Sequence, residues 1–162
     1  MDSKYKIYIE RANNELKLAA IIFQLSETPD LQLNEFKISE PETYYSAVIS
    51  HSYYAIFYCA KAYLASKGVK IGPPEEHKKA YEEFKKFVDN GVLDVELLRI
   101  YKEMIIRAEA LLGIFRIEKR KRGEFTYQKL AQANIMPAKE SIERARKFFS
   151  HIYNLFNGSS YP

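Results

Sequence analysis

One stretch of the chain, residues 43–67, is apolar or aromatic on almost every helical face, whereas the segments on either side alternate apolar and polar positions. A helix that is hydrophobic all round must be enclosed by other helices. Ser39, Pro41 and Glu42 offer an N-cap, a first-turn proline and a capping-box acid, and Gly68 offers a C-terminal stop. We therefore predict a buried central helix that starts after Ser39 and ends at Gly68.

Four further segments repeat apolar residues at steps of three and four, which is the period of an amphipathic helix. They cover residues 3–25, 74–89, 94–117 and a last helix that starts near Pro137 and stops at Gly158. In the segment 94–117, Asp94 is the expected N-cap and Val95 is expected to begin the core stripe. A loop of about a dozen residues is predicted before the central helix, because Ser, Thr, Pro and Asp follow one another there. The predicted fold class is all-α, an antiparallel bundle of about five helices around the central one. We expect one domain, residues 1–158, and a frayed tail at residues 159–162.

Composition narrows the class of protein. At 162 residues and 47% hydrophobic content, the chain can enclose the core of one domain. The N-terminus has no hydrophobic secretory segment, which favours a cytoplasmic location. A membrane span at residues 43–67 is disfavoured, because Ser50, His51 and Ser52 would lie unpaired at mid-bilayer. The single cysteine, Cys59, excludes an internal disulfide and is expected to be a buried small hydrophobe.

Positive charge is concentrated in residues 116–127 (RIEKRKRGEFTY), called the basic run below. Fixed cationic donors near a flexible glycine suit a phosphate group, so RNA or a nucleotide is a candidate ligand. Cations at the end of a helix also complement its dipole while remaining solvated, and this alternative stays open. The candidate phosphate-binding residues are Arg116, Lys119, Arg120, Lys121 and Arg122, with Tyr127 nearby.

The central helix carries a motif that resembles a known family. Its residues Ser52-Tyr53-Tyr54-Ala55, Phe57, Ala60-Lys61-Ala62, Leu64 and Gly68 are similar to the second-helix signature of the HEPN (higher eukaryotes and prokaryotes nucleotide-binding) family. The likeness extends to His77 and to the spacing of the later helices. Most motif residues serve packing, so the resemblance implies the fold more specifically than an activity. It also implies a prokaryotic, dimeric protein.

Active HEPN ribonucleases carry an Arg, four to six residues and then a His near the junction of the last two core helices. In this chain Tyr127 stands where that His is expected, with four residues between it and Arg122 and six between it and Arg120. A tyrosine with a pKa of about 10 is a poor general base at neutral pH. A branch of the family with Arg and Tyr at this spacing is usually accompanied by a nucleotidyltransferase. The resemblance therefore implies an anion-binding site and such a partner, in a toxin–antitoxin or stress-related pair.

Two alternatives remain open. One is an active, metal-independent endoribonuclease that uses Arg122 and Tyr127, or else Arg144, Arg146 and His151 in the last helix. Arg146 and His151 have the family's spacing, but residues five apart on a helix are about 140° apart, and Arg144 shares the face of His151 instead. The other alternative is a protein-interaction module whose tyrosine-rich surface carries the function.

The remaining polar residues favour structural roles. His51 is expected to be a hydrogen-bonded polar group of the core, and His77 an exposed or packing residue. No two histidines have a metal-ligand spacing, and no Gly-rich phosphate loop is visible. The sequence thus predicts no metal and no cofactor.

Overall fold

The computed structural model describes residues 3–112 and 135–158, and these residues form helices without strands. The all-α prediction is therefore confirmed. The helices are α1 (Lys4–Glu27), α2 (Pro29–Phe36), α3 (Tyr45–Ser66), α4 (Glu76–Asp89), α5 (Val95–Leu112) and α6 (Ile135–Phe156). The basic run and the predicted tail at residues 159–162 lie outside the described residues.

Helix α3 is the centre of the bundle, as its all-round apolar sequence predicts. It contacts α1, α4, α5 and α6, and Tyr53, Ile56 and Leu64 on it are fully buried. Burying such side chains contributes about 1.5–3 kcal/mol each, which explains why a helix with so few polar positions holds the bundle together. In the part of the chain described, no helix is long and apolar enough to cross a membrane.

Helices α1 and α5 both run antiparallel to α6, so the bundle has two distinct ends. At one end the start of α1 meets the end of α6, where the rings of Tyr5 and Phe156 lie 4.8 Å apart. At the other end α5 approaches the start of α6, where Arg107 donates to the carbonyl of Pro137 at 3.1 Å. The 22 residues of α6 separate these ends by roughly 30 Å.

Two predictions about the segment before α3 are wrong. Helix α2 occupies most of the predicted loop, because Pro29 stands at its first position and Gln32 is fully buried. Helix α3 begins at Tyr45 rather than after Ser39. The Gln32 side chain bonds both the N–H and the carbonyl of Glu42, at 2.9 and 2.8 Å, and this holds the predicted capping residues outside the helix.

The predicted end of α3 and the predicted start of α5 agree better with the structure. Gly68 has a φ of +78°, which glycine adopts without strain. The amide of Val69 then reaches the carbonyl of Leu64 at 2.9 Å, the closing bond of a Schellman turn. Asp94 caps α5 through the amide of Glu96 at 2.8 Å. One core prediction fails beside it, since Val95 is 73% exposed in the first turn of α5.

Candidate anion-binding site

The helices on either side of the basic run are joined by one arginine. Arg107, near the end of α5, donates to Ser141 Oγ at 2.9 Å, to Glu140 Oε2 at 2.7 Å and to the carbonyl of Pro137. The bond from Arg107 to Glu140, with the charge of Arg107, also holds the pKa of Glu140 below its usual range. Three bonds from one planar guanidinium fix the separation of the two helices. Residues 113–134 therefore leave and rejoin the described part of the chain at one end of the bundle.

Further along the same two helices, arginines and glutamates alternate in a ladder of ion pairs. Arg99 pairs with Glu96 and with Glu103, and Lys147 reaches Glu96 across the interface at 3.1 Å. Hydrogen bonds from Arg99 and then Lys147 lower the pKa of Glu96 to about 2. Arg144 continues the ladder on α6. These carboxylates already have cationic partners, which reduces their repulsion of an approaching anion.

The weaker candidate residues, Arg144, Arg146 and His151, lie within the described part of α6. Arg144 is held by Glu103 and by Glu140, the latter at 3.3 Å. Arg146 is exposed and His151 is half-buried. An arginine that is already paired with two carboxylates is a poor phosphate donor. The described geometry therefore favours a structural role for Arg144.

The stronger candidates, Arg116, Lys119, Arg120, Lys121, Arg122 and Tyr127, lie outside the described residues. Their assignment as phosphate-binding residues stays a prediction.

The two remaining histidines are both hydrogen-bonded. His51 Nδ1 lies 2.5 Å from Glu15 Oε2 on α1, but its side chain is 31% exposed, so the expected core position is wrong while the expected hydrogen bond is present. His77 packs as predicted: its ring stacks on Phe57 with centroids 4.1 Å apart, and Nδ1 lies 2.9 Å from the Tyr53 hydroxyl. Burial lowers the pKa of His77, which favours the neutral ring.

Two other groups bear on possible chemistry. Cys59 is fully buried, and burial raises the pKa of its thiol, so it is an inert core residue as predicted. Within residues 3–112 and 135–158, no group of three or more His, Cys, Asp or Glu side chains could hold a metal ion.

Sequence reasoning missed the position of Lys61. It belongs to the family-like motif, yet its side chain is only 8% exposed and pairs with Glu76 at the start of α4. Its ammonium also lies 4.6 Å from the ring centroid of Tyr8. A cation inside an otherwise apolar helix could have indicated this, because a buried charge requires a partner. The identity of that partner depends on helices distant in sequence.

Comparison with known proteins adds one positive finding. Residues 5–150 match the family model described as HEPN domain. No curated protein and no solved structure gave a match.

Proposed function

This chain belongs to the HEPN domain family, and on that premise we propose that it binds RNA or a nucleotide through the basic run. Family membership supports a function related to nucleotides or RNA. The finer assignment, to particular residues, rests on charge and on the position of the neighbouring helices.

The distribution of charge is the observation that carries the proposal. Six of the 25 basic residues and two of the 21 acidic residues lie in residues 113–134. The rest of the chain has 19 of each and is formally neutral, so this segment accounts for the whole net charge of +4. A localised excess of positive charge is the electrostatic signature of a nucleic-acid-binding segment.

The residue types in the run suit this ligand. Arg116, Arg120 and Arg122 offer planar, permanently charged donors for phosphate oxygens. The ring of Tyr127 can stack on a base without demanding a particular sequence. In this proposal the arginines supply affinity and the tyrosine supplies contact with the base.

The fold supports the proposal by holding the ends of the segment. Arg107 joins α5 to the start of α6 through three hydrogen bonds. A tethered segment loses less conformational freedom on binding than a free chain of the same length. The clamp thus lowers the entropic cost of binding RNA there.

The proposal extends to partners. We propose that the protein forms a homodimer and acts with a nucleotidyltransferase, in a toxin–antitoxin or stress-related pair. The tyrosine content supports an interface, since 13 tyrosines are many for one small core and tyrosine is favoured where its ring is buried and its hydroxyl is satisfied. Light scattering of the purified protein measures the dimer directly.

RNA binding is tested by the fluorescence anisotropy of labelled single-stranded RNA, without added metal, at about 50 and 200 mM salt. The double variant Arg120→Ala/Arg122→Ala is expected to weaken binding about 30- to 150-fold, since each hydrogen bond lost at an exposed site contributes about 1–1.5 kcal/mol. Its salt slope should fall by about 1.4, which is the loss of two phosphate contacts on a single strand.

The matched control is Lys78→Ala/Lys79→Ala, which removes two exposed charges from α4. An equal loss of binding in this control, or no binding by the unaltered protein, contradicts the proposal. The same reactions are run on a denaturing gel. Cleavage that is lost in Arg122→Ala or in His151→Ala would make the protein a ribonuclease and identify its site.

A further inference from the structure

A small pocket lies at the end of the bundle opposite the Arg107 clamp. It is formed by the first turns of α1, the last turns of α3 and the turn after Gly68, and its volume is about 120 Å³. Pockets for drug-sized ligands measure about 300–1,000 Å³, so this one suits a small ion rather than a whole nucleotide. Lys4, Tyr8, Lys61 and Lys70 line it together with apolar residues and Gly68.

The charged residues in the described lining of the pocket are all positive. Three of its residues are lysines, and none of the described lining residues carries a carboxylate. Glu76 pairs with Lys61 without lining the pocket. Helix α1, whose first turn forms one wall, has no acidic residue in that turn, and a helix N-terminus favours an anion.

Lys61 gives the pocket a buried, incompletely bonded donor. Its side chain is more than nine-tenths buried, and an ammonium has three N–H donors. In the described part of the chain its one hydrogen-bond acceptor is Glu76 Oε1. The rings of Tyr8 and Phe57, 4.6 and 5.4 Å away, contribute cation–π attraction. Two donors are thus left without an acceptor beside a cavity.

The end of α3 does not oppose an anion as strongly as a bare helix C-terminus would. Its Schellman turn bonds the carbonyl of Leu64 to the amide of Val69 and the carbonyl of Ala65 to that of Gly68, at 2.9 and 3.0 Å. Satisfying these carbonyls reduces the negative potential at this helix end. The same turn directs the chain back across the pocket and brings Lys70 to its rim.

From this geometry we propose that the pocket is a second anion site, distinct from the basic run, that binds one phosphate group. Lys61 donates from the floor, and Lys70 donates from the rim. The group is either free inorganic phosphate or the terminal phosphate of an RNA. A phosphate monoester carries a charge of about −1.5 to −2 at pH 7, and the charged residues of the described lining are lysines.

Site-resolved NMR tests the proposal, because phosphate bound elsewhere does not move the same amides. Titration of the ¹⁵N-labelled protein with inorganic phosphate, against sodium chloride of equal ionic strength, should shift the amides of Gly68 and Val69 saturably. Lys70→Ala should weaken the fitted affinity at least about 5-fold, as expected for about 1 kcal/mol. The matched control is Lys67→Ala, which removes an exposed lysine near the pocket that does not line it.

Lys61→Met should abolish the response, and Lys61→Arg should restore part of it. Circular dichroism shows whether the Lys61→Met protein is folded. If it is not, the phosphate affinity of Lys70→Ala tests the proposal. An RNA with a 5′-phosphate that shifts Gly68, where the 5′-hydroxyl form does not, identifies an RNA end as the ligand. A response to inorganic phosphate alone identifies the free ion. Equal shifts with chloride, or an equal loss in Lys67→Ala, would overturn the proposal.

Discussion

Two fully buried tyrosines show how much a single hydroxyl depends on its neighbours. Tyr53 and Tyr101 both have no exposed surface, and burial raises the pKa of each phenol, so both are neutral at pH 7. The Tyr53 hydroxyl has a partner, His77 Nδ1, at 2.9 Å. The Tyr101 hydroxyl has no hydrogen-bond partner in the described structure. Equal burial therefore carries unequal energetic cost, because an unbonded buried polar group is penalised.

The replacement of each tyrosine by phenylalanine should give opposite results. Tyr53→Phe should lower the free energy of unfolding by about 1–2 kcal/mol, because it removes a hydrogen bond and leaves a ring nitrogen of His77 without its partner. Tyr101→Phe should be neutral or slightly stabilising, because it removes a hydroxyl that has no partner. Urea denaturation of the two variants measures both, and each serves as the control for the other. A similar loss in both would mean that Tyr101 has a partner, such as a buried water.

At the scale of elements, α2 is the part of the fold that local sequence signals did not reveal. It has only eight residues, about two turns, and its Leu33 is 50% exposed, so no apolar stripe marks it. What fixes it is Gln32, whose amide donates to the carbonyls of Leu25 and Glu42 at 2.8 Å each and accepts from the Glu42 amide. One side chain thus joins the end of α1, helix α2 and the entry to α3.

The change Gln32→Leu should destabilise the protein by about 2–4 kcal/mol, because it leaves two carbonyls and one amide without their partner while keeping the side-chain volume. The matched control is Gln24→Leu, on the exposed face of α1, which should change stability by less than about 0.5 kcal/mol. Thermal or urea unfolding followed by circular dichroism measures the difference. Equal, small effects in both variants would show that water replaces the Gln32 bonds at little cost.

The difference between contacts close in the chain and contacts distant in the chain explains which features the sequence could predict. Long helices with sustained stripes, the stop at Gly68 and the cap at Asp94 depend on residues close together in the chain, and within the described residues they were predicted within a few positions. The predicted end of the 94–117 segment lies outside the described residues. The start of α3 was not predicted, because Gln32 reaches ten residues along the chain to Glu42. The partners of Lys61 could not be predicted from the neighbouring sequence either, since Tyr8 and Glu76 belong to two other helices. The family resemblance predicted that the motif residues pack in the core, but it did not predict the partners of the Lys61 ammonium.

At the scale of the whole molecule, the bundle separates the Arg107 clamp from the pocket lined by Lys61 and Lys70. Arg107 ties the end of α5 to the start of α6, and the pocket lies at the opposite end of the bundle, roughly 30 Å away. Effects at sites that far apart, without shared contacts, are usually additive. Binding at the two ends is therefore expected to be independent, unless one RNA reaches both.

A change at the clamp tests this independence. Arg107→Met keeps an unbranched side chain but removes three hydrogen bonds, so RNA binding should weaken several-fold as the α5 and α6 ends separate. The phosphate response of Gly68 should stay unchanged, whereas Lys70→Ala should show the reverse pattern. The matched control is Arg99→Met, which removes an exposed arginine of the same helix that pairs within α5 alone. Anisotropy and NMR titrations of the three variants measure both sites. Loss of the Gly68 response in Arg107→Met, in a protein that remains folded, would show that the two ends are coupled through the bundle.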